Sequence, residues 1–159
     1  MYYIGIDVGG TNLVSGLVNE EGRILDKVSH PVDKAMTAEE LCVELVRLAK
    51  KVCEMGALDY SQIEAVGVGL PGVVDNGTGM VVQTPNMAFS NTPFRALFQK
   101  EWNVPVFLAN DANCAAVGEY WAGAAKGCDR AVVVTLGTGI GGGLVANGRL
   151  FTGYANSGM

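Results

Sequence analysis

The chain has 159 residues, 49% of them hydrophobic and only 17% charged, with 22 glycines and a formal net charge of −5 at pH 7. This composition excludes a disordered chain, a collagen-like repeat and a coiled coil, and the length suits one domain with a substantial core. The 11 Lys and Arg are scattered, giving no basic face for nucleic acid and no polybasic membrane patch, and no apolar run is long enough to span a bilayer.

The first 29 residues read as three short strands, at residues 2–6, 13–18 and 23–29, joined by the turns D-V-G-G-T-N and N-E-E-G. Such short links join antiparallel neighbours. The spacing of Leu41, Leu45, Leu48 and Val52 predicts a helix over 38–55, opened by a capping box from Thr37 to Glu40 and closed by Gly56. Residues 63–70 are almost wholly apolar, as in a strand buried on both faces. A glycine-rich hairpin around D-N-G-T-G is expected over 72–82. Thr92 then reads as the cap of a helix with Pro93 in its first position, running to Trp102. A strand at 104–109, a small-residue helix at 112–122, a strand at 131–136, a G-T-G-I-G-G-G loop and an Asn147-Gly148 turn complete the chain. This order predicts an α/β fold with a mixed sheet. The small residues 122–129 form a weak seam, after which a strand, a Gly-Thr turn and a second strand restart the opening pattern.

Two loops contain the string G-x-G-x-x-G, at 67–72 and 137–142, but neither runs into a helix as a dinucleotide site requires. A phosphate-binding reading suits the D-V-G-G-T-N turn better. Consecutive glycines there can aim several N–H groups at one anion, Thr11 adds a hydroxyl, and Asp7 can hold a cation beside the phosphates through water. The L-G-T-G-I-G segment at 136–141 can do the same from a second element. In L-A-N-D-A-N (108–113) a strand ends where a helix begins, a favoured ligand position. Asn110 or Asp111 is there either as an N-cap or as chemistry: a general base at Asp111 for a substrate hydroxyl attacking a phosphoryl group, with Asn110 fixing the substrate's pose. Cys42, Cys53, Cys114 and Cys128 form no C-x-x-C pair, and His30 is the single histidine, too few ligands for zinc. Free thiols in a reducing cytoplasm are expected.

Together the segments I-G-I-D-V-G-G-T-N (4–12), G-V-G-L-P-G-V-V-D (67–75), T-P-N (84–86), N-D-A-N-C-A-A-V-G-E (110–119) and L-G-T-G-I-G-G-G (136–143) resemble the ROK family of sugar kinases and repressors, most closely its bacterial glucokinases. The resemblance implies an actin-like ATPase (ribonuclease H-like) fold of two related domains. It implies a domain over 1–122, a hinge at 123–129, and the opening hairpin of a truncated second domain from 130. By that resemblance Gly9, Gly10, Thr11 and Asn12 face the ATP phosphates from one side, and Thr138 and Gly139 from the other. Asp7 serves magnesium, Asp111 is the catalytic base, Asn110 is a sugar ligand, and Gly72 and Asn86 line the sugar pocket. Glu119 is expected to be a structural hydrogen-bonding residue.

The implied reaction is ATP-dependent phosphorylation of a hexose at its 6-hydroxyl, with glucose expected and fructose, mannose or an N-acetylhexosamine as alternatives. The chain stops before the family's A-G-E-x-G-H segment, which supplies two sugar ligands and leads to its zinc site. The 159 residues alone are therefore expected to be inactive and to hold no zinc, and a non-catalytic sugar- or partner-binding fragment stands as the alternative. No helix-turn-helix precedes the motifs, which disfavours the repressor branch. A homodimer is expected of the full-length protein.

Overall fold

The computed structural model describes residues 1–85, 87–137 and 139–153. Strands β1 (Tyr2–Val8), β2 (Asn12–Asn19) and β3 (Ile24–Pro31) form an antiparallel meander. Helix α1 (Ala38–Met55) follows, then a 3₁₀ turn (Tyr60–Gln62), β4 (Ile63–Leu70) and the hairpin of β5 (Val73–Asp75) and β6 (Met80–Gln83). Helix α2 (Phe94–Glu101), β7 (Val106–Asn110) and helix α3 (Asp111–Ala122) come next. The described chain ends with β8 (Arg130–Leu136), β9 (Ile140–Ala146) and β10 (Arg149–Phe151).

The main sheet has the order β3-β2-β1-β4-β7, and β1, β4 and β7 are parallel. Helix α1 covers one of its faces. Thr37 Oγ1 accepts the Glu40 N–H at 3.2 Å while Glu40 Oε2 accepts the Thr37 N–H at 2.8 Å, so the predicted capping box fixes where α1 starts. The stripe Leu41, Leu45, Leu48 and Val52 is fully buried, in one core with Ile4, Leu13, Leu17, Val66 and Leu108. Each such side chain contributes about 1.5–3 kcal/mol of burial free energy. At the end of α1, a Cβ on Gly56 would lie 2.6 Å from Leu17 Cδ2, so any larger residue there would force the buried Leu17 side chain to shift.

Four local expectations need correction. Pro93, not Thr92, is the N-cap of α2, because Thr92 is held in a bridge with Val81, both of its main-chain groups bonded to that residue. The strand at 63–70 is not buried on both faces: Val66, Val68 and Leu70 are in the core, while Gly67 is exposed on the far side. Helix α3 starts at Asp111 rather than Ala112, with Asn110 as its N-cap. The glycine-rich run after β8 is mostly strand, with β9 beginning at Ile140.

That last correction has a steric cause. A Cβ on Gly141 would lie 2.9 Å from Ala112 Cβ, and one on Gly143 2.5 Å from Ala116 Cβ. The alternate glycines of β9 and the alanines of α3 therefore let helix and strand touch nearly backbone to backbone. The small sheet β10-β9-β8 is seated on α3 through this contact.

Gly143→Ala is expected to destabilise the chain by about 1–3 kcal/mol through overpacking. Urea unfolding reads this directly, and an unchanged midpoint would show that α3 and β9 are not in tight contact.

Candidate active site

The parallel register brings the carboxyl ends of three strands level: Asp7 of β1 pairs with Gly69 of β4, and Gly69 with Ala109 of β7. Such an edge is where α/β sheets bind ligands. A cleft of about 880 Å³ opens there. It is lined by Asp7, Gly9, Gly10, Thr11 and Asn12 from the first strand pair and by Gly72, Asn110 and Asp111 from the sheet's other side. Gly137, Gly139, Gly141 and Gly142 close it from the small sheet. Every predicted site residue among the described ones meets in this one cleft. Asn86 and Thr138 lie outside the described residues.

The turn between β1 and β2 is drawn tight by its glycines. The Gly9 N–H donates to the Asn12 carbonyl at 3.0 Å, and a Cβ on Gly9 would lie 2.9 Å from that oxygen. The Gly9 N–H is thus spent inside the turn. An anion would be met by the N–H groups of Gly10 and Thr11 and by the Thr11 hydroxyl. The Thr11 carbonyl accepts the Val32 N–H at 2.9 Å, which ties the turn to the end of β3.

At the head of α3 the capping role falls to Asn110 and not to Asp111. Asn110 is the cap: its Oδ1 accepts the Asn113 N–H at 3.1 Å. Its Nδ2 donates to the Gly72 carbonyl at 3.1 Å, so the amide is oriented at both ends and keeps one N–H and one lone pair for a ligand. Asp111 Oδ1 accepts the Ala112 N–H at 2.8 Å, leaving its second oxygen to the cleft. Gly72 has φ +95, and a Cβ there would overlap the Gln83 carbonyl oxygen, so the cleft wall at this point has to be glycine.

Asp7 and Asp111 both line the cleft. Partial desolvation, and then the negative charge of Asp111, hold the Asp7 carboxyl above its ordinary value even though it opens onto the cleft. Cys114, one turn after Asp111, lines the same cleft. The thiol is exposed to the cleft, yet desolvation by the surrounding wall, followed by the charges of Asp111 and Asp7, pushes it up to about 11, so it is protonated at neutral pH. Sequence reasoning passed over Cys114 as one more free thiol; its spacing of one helical turn from Asp111 was the available signal. Glu119 faces away from this chemistry and bonds the Ala124 N–H at 2.8 Å, fastening the end of α3.

Comparison with known proteins gives this geometry a class. The mixed sheet and its helices match structures of ROK sugar kinases, the actin-like ATPase fold. A Streptomyces griseus ROK glucokinase, solved with glucose and AMPPNP, superposes with a TM-score of 0.87 at 36% identity, covering 96% of this chain and 47% of that one. Residues 3–159 match the ROK family, and the chain belongs to it. Glucokinase of Thermotoga maritima is 41% identical over 151 residues, 94% of this chain and 46% of the relative. A xylose repressor of Bacillus subtilis is 32% identical over 97% of this chain and 40% of its own length. The chain thus spans about half the length of the curated relatives it matches, and the family contains both kinases and repressors.

The raised Asp7 sets a pH dependence. Its contribution to stability is full below the ordinary carboxylate range and is lost as pH rises through the elevated native value, because the unfolded chain releases its proton first. Asp7→Asn removes that loss. In thermal melts between about pH 4 and pH 7 the variant should gain on the wild type as pH rises; parallel curves would show that the Asp7 carboxyl is not held above its ordinary value.

Proposed function

We propose that this chain is the N-terminal part of a hexokinase that transfers the γ-phosphoryl group of ATP to the 6-hydroxyl of a hexose, with glucose as the acceptor. The observation that carries the reading is the pair Asn110–Asp111. The pair stands at the head of α3 and shares one cleft with the glycine turn at 9–12. The 41% identity to a glucokinase, against 32% to a xylose repressor, favours kinase over repressor.

In this reaction charge spreads over the transferred group, and the protein supplies position and electrostatics rather than a covalent nucleophile. The N–H groups of Gly10 and Thr11 and the Thr11 hydroxyl receive phosphate oxygens. The family resemblance assigns Thr138 and Gly139 to the phosphates as well, with a hinge at 123–129 between residues 1–122 and the part beginning at 130. Asn110 presents its remaining N–H and lone pair to a sugar hydroxyl beside the Gly72 wall, and the resemblance assigns Asn86 to the sugar too. The free oxygen of Asp111 accepts the proton of the 6-hydroxyl as that oxygen attacks phosphorus and ADP departs.

Among the described residues no three His, Cys, Asp or Glu side chains cluster closely enough to hold a metal by themselves. This donor set fits magnesium, which keeps most of its waters and binds through one or two carboxylates together with substrate phosphates. Asp7 would hold it, and when bound the ion neutralises phosphate charge.

The second reading is a non-catalytic sugar- or partner-binding fragment. The chain covers only 46% of the T. maritima glucokinase, and domain closure supplies much of the positioning in such enzymes. The isolated chain is therefore expected to bind sugar weakly and to show no turnover in a coupled ADP-release assay; normal turnover would contradict this.

The base assignment is tested in a chimera joining residues 1–159 to the remaining half of the T. maritima glucokinase. The chimera should phosphorylate glucose. Asp111→Asn should lower kcat by about 10²–10⁴-fold while leaving glucose affinity by calorimetry nearly unchanged. Retained turnover would refute Asp111 as the base, and a folded chimera inactive on every hexose would refute the kinase reading.

A further inference from the structure

The D-N-G-T-G hairpin tip has no part in the chemistry above, yet it touches the strand that delivers it. Strand β7 is an edge strand of the main sheet and, among the described residues, pairs with β4 alone. Its other edge would normally leave main-chain groups to solvent or to another chain. Here side chains take them. Asn76 Oδ1 accepts the Leu108 N–H at 2.8 Å. Arg95 Nε donates to the Val106 carbonyl at 2.9 Å, and Gln99 Nε2 donates to the Val104 carbonyl at 2.9 Å. Arg95 Nη2 also donates to Asn76, to its carbonyl oxygen and, at 3.0 Å, to its Oδ1. Asn76 and Arg95 thus stand in for an absent strand, one supplying the acceptor and the other the donor.

The tip is shaped for this contact. Asp75 Oδ1 accepts the Gly77 N–H at 2.9 Å and its Oδ2 the Thr78 hydroxyl at 2.7 Å, which folds the turn. Gly79 has φ +78, and a Cβ there would lie 2.7 Å from Arg95 Cβ, so the guanidinium stem packs directly on the turn. At its other end the same hairpin presents the Gly72 carbonyl to Asn110 Nδ2 at 3.1 Å. The hairpin therefore grips β7 twice, at Leu108 and at Asn110, with Asp111 the next residue.

We infer that Asn76 and Arg95 are positioning residues, whose latch on the free edge of β7 sets the register between Gly72 and Asn110 and so aims the Asn110–Asp111 pair into the cleft. The consequence for sugar phosphorylation rests on the kinase reading; the latch itself does not. Removing the Asn76 acceptor leaves the Leu108 N–H, on a residue only 2% exposed, without a partner. The edge should then open locally and the Asn110 side-chain amide should lose its fixed orientation.

The test uses amide hydrogen exchange and side-chain amide NMR on the 159-residue chain. Asn76→Ala should speed exchange at Leu108 by about tenfold or more relative to the α1 amides, and should move the Asn110 Nδ2 resonances. Asn76→Asp, which keeps the acceptor, should restore both, and Arg95→Lys, which loses the fork, should not. In the active chimera, Asn76→Ala should raise KM for glucose severalfold while KM for MgATP holds, because the phosphate turn lies on β1 and β2. Unchanged exchange at Leu108, exchange that rises equally in α1, or failure of Asn76→Asp to rescue would overturn the proposal. Should the wild-type chimera phosphorylate no sugar, the kinase reading falls, while the exchange and NMR results still decide the latch.

Discussion

Asp7, Gly69 and Ala109 stand side by side because β1, β4 and β7 run parallel and in register, and the rest of the site depends on that constraint. Parallel strands end at a common edge, so residues more than a hundred positions apart in sequence arrive at one line. The turn after β1 and the helix after β7 then face each other across a cleft that neither could form alone. The antiparallel partner β2 holds the first turn in place, α1 packs behind β1, β2 and β3 through its stripe of buried apolar side chains, and α2 packs against β7.

Glycine is the second material of this architecture, and it is used for three physical ends. At Gly9 it permits a turn tight enough to close on its own carbonyl. At Gly72 it supplies a positive φ where a side chain would strike the neighbouring strand. At Gly141 and Gly143 it lets α3, which carries Asp111, lie against the second sheet without intervening side chains.

Much of this was legible in the sequence. Helix α1 matches its predicted bounds, because an amphipathic stripe, a capping box and a terminal glycine all agree on them. Strand β4 does too, though its second face is open at Gly67. The residues that line the cleft were legible because each strand end is marked by a local signal, a Gly-Gly-Thr turn or an Asn-Asp before a small-residue helix. What local signals could not carry is long-range. The run after β8 reads as a loop because glycine normally weakens strands, but it pairs in register with β8, and the contacts of Gly141 and Gly143 with Ala112 and Ala116 explain why glycine is needed there. Thr92 reads as a cap until its backbone is seen to be committed to Val81. The roles of Asn76 and Arg95 depend on which strand lies at the sheet's edge, and no spacing in the sequence states that.

The central claim is that the turn at 9–12 and the head of α3 hold donor and acceptor in one reaction geometry. A crystal structure of the chimera with glucose and a non-hydrolysable ATP analogue tests it most directly. The account predicts the glucose 6-hydroxyl in hydrogen-bond contact with the free oxygen of Asp111, and phosphate oxygens against the N–H groups of Gly10 and Thr11. Glucose bound with its 6-hydroxyl turned away from Asp111, or the nucleotide bound away from that turn, would contradict it.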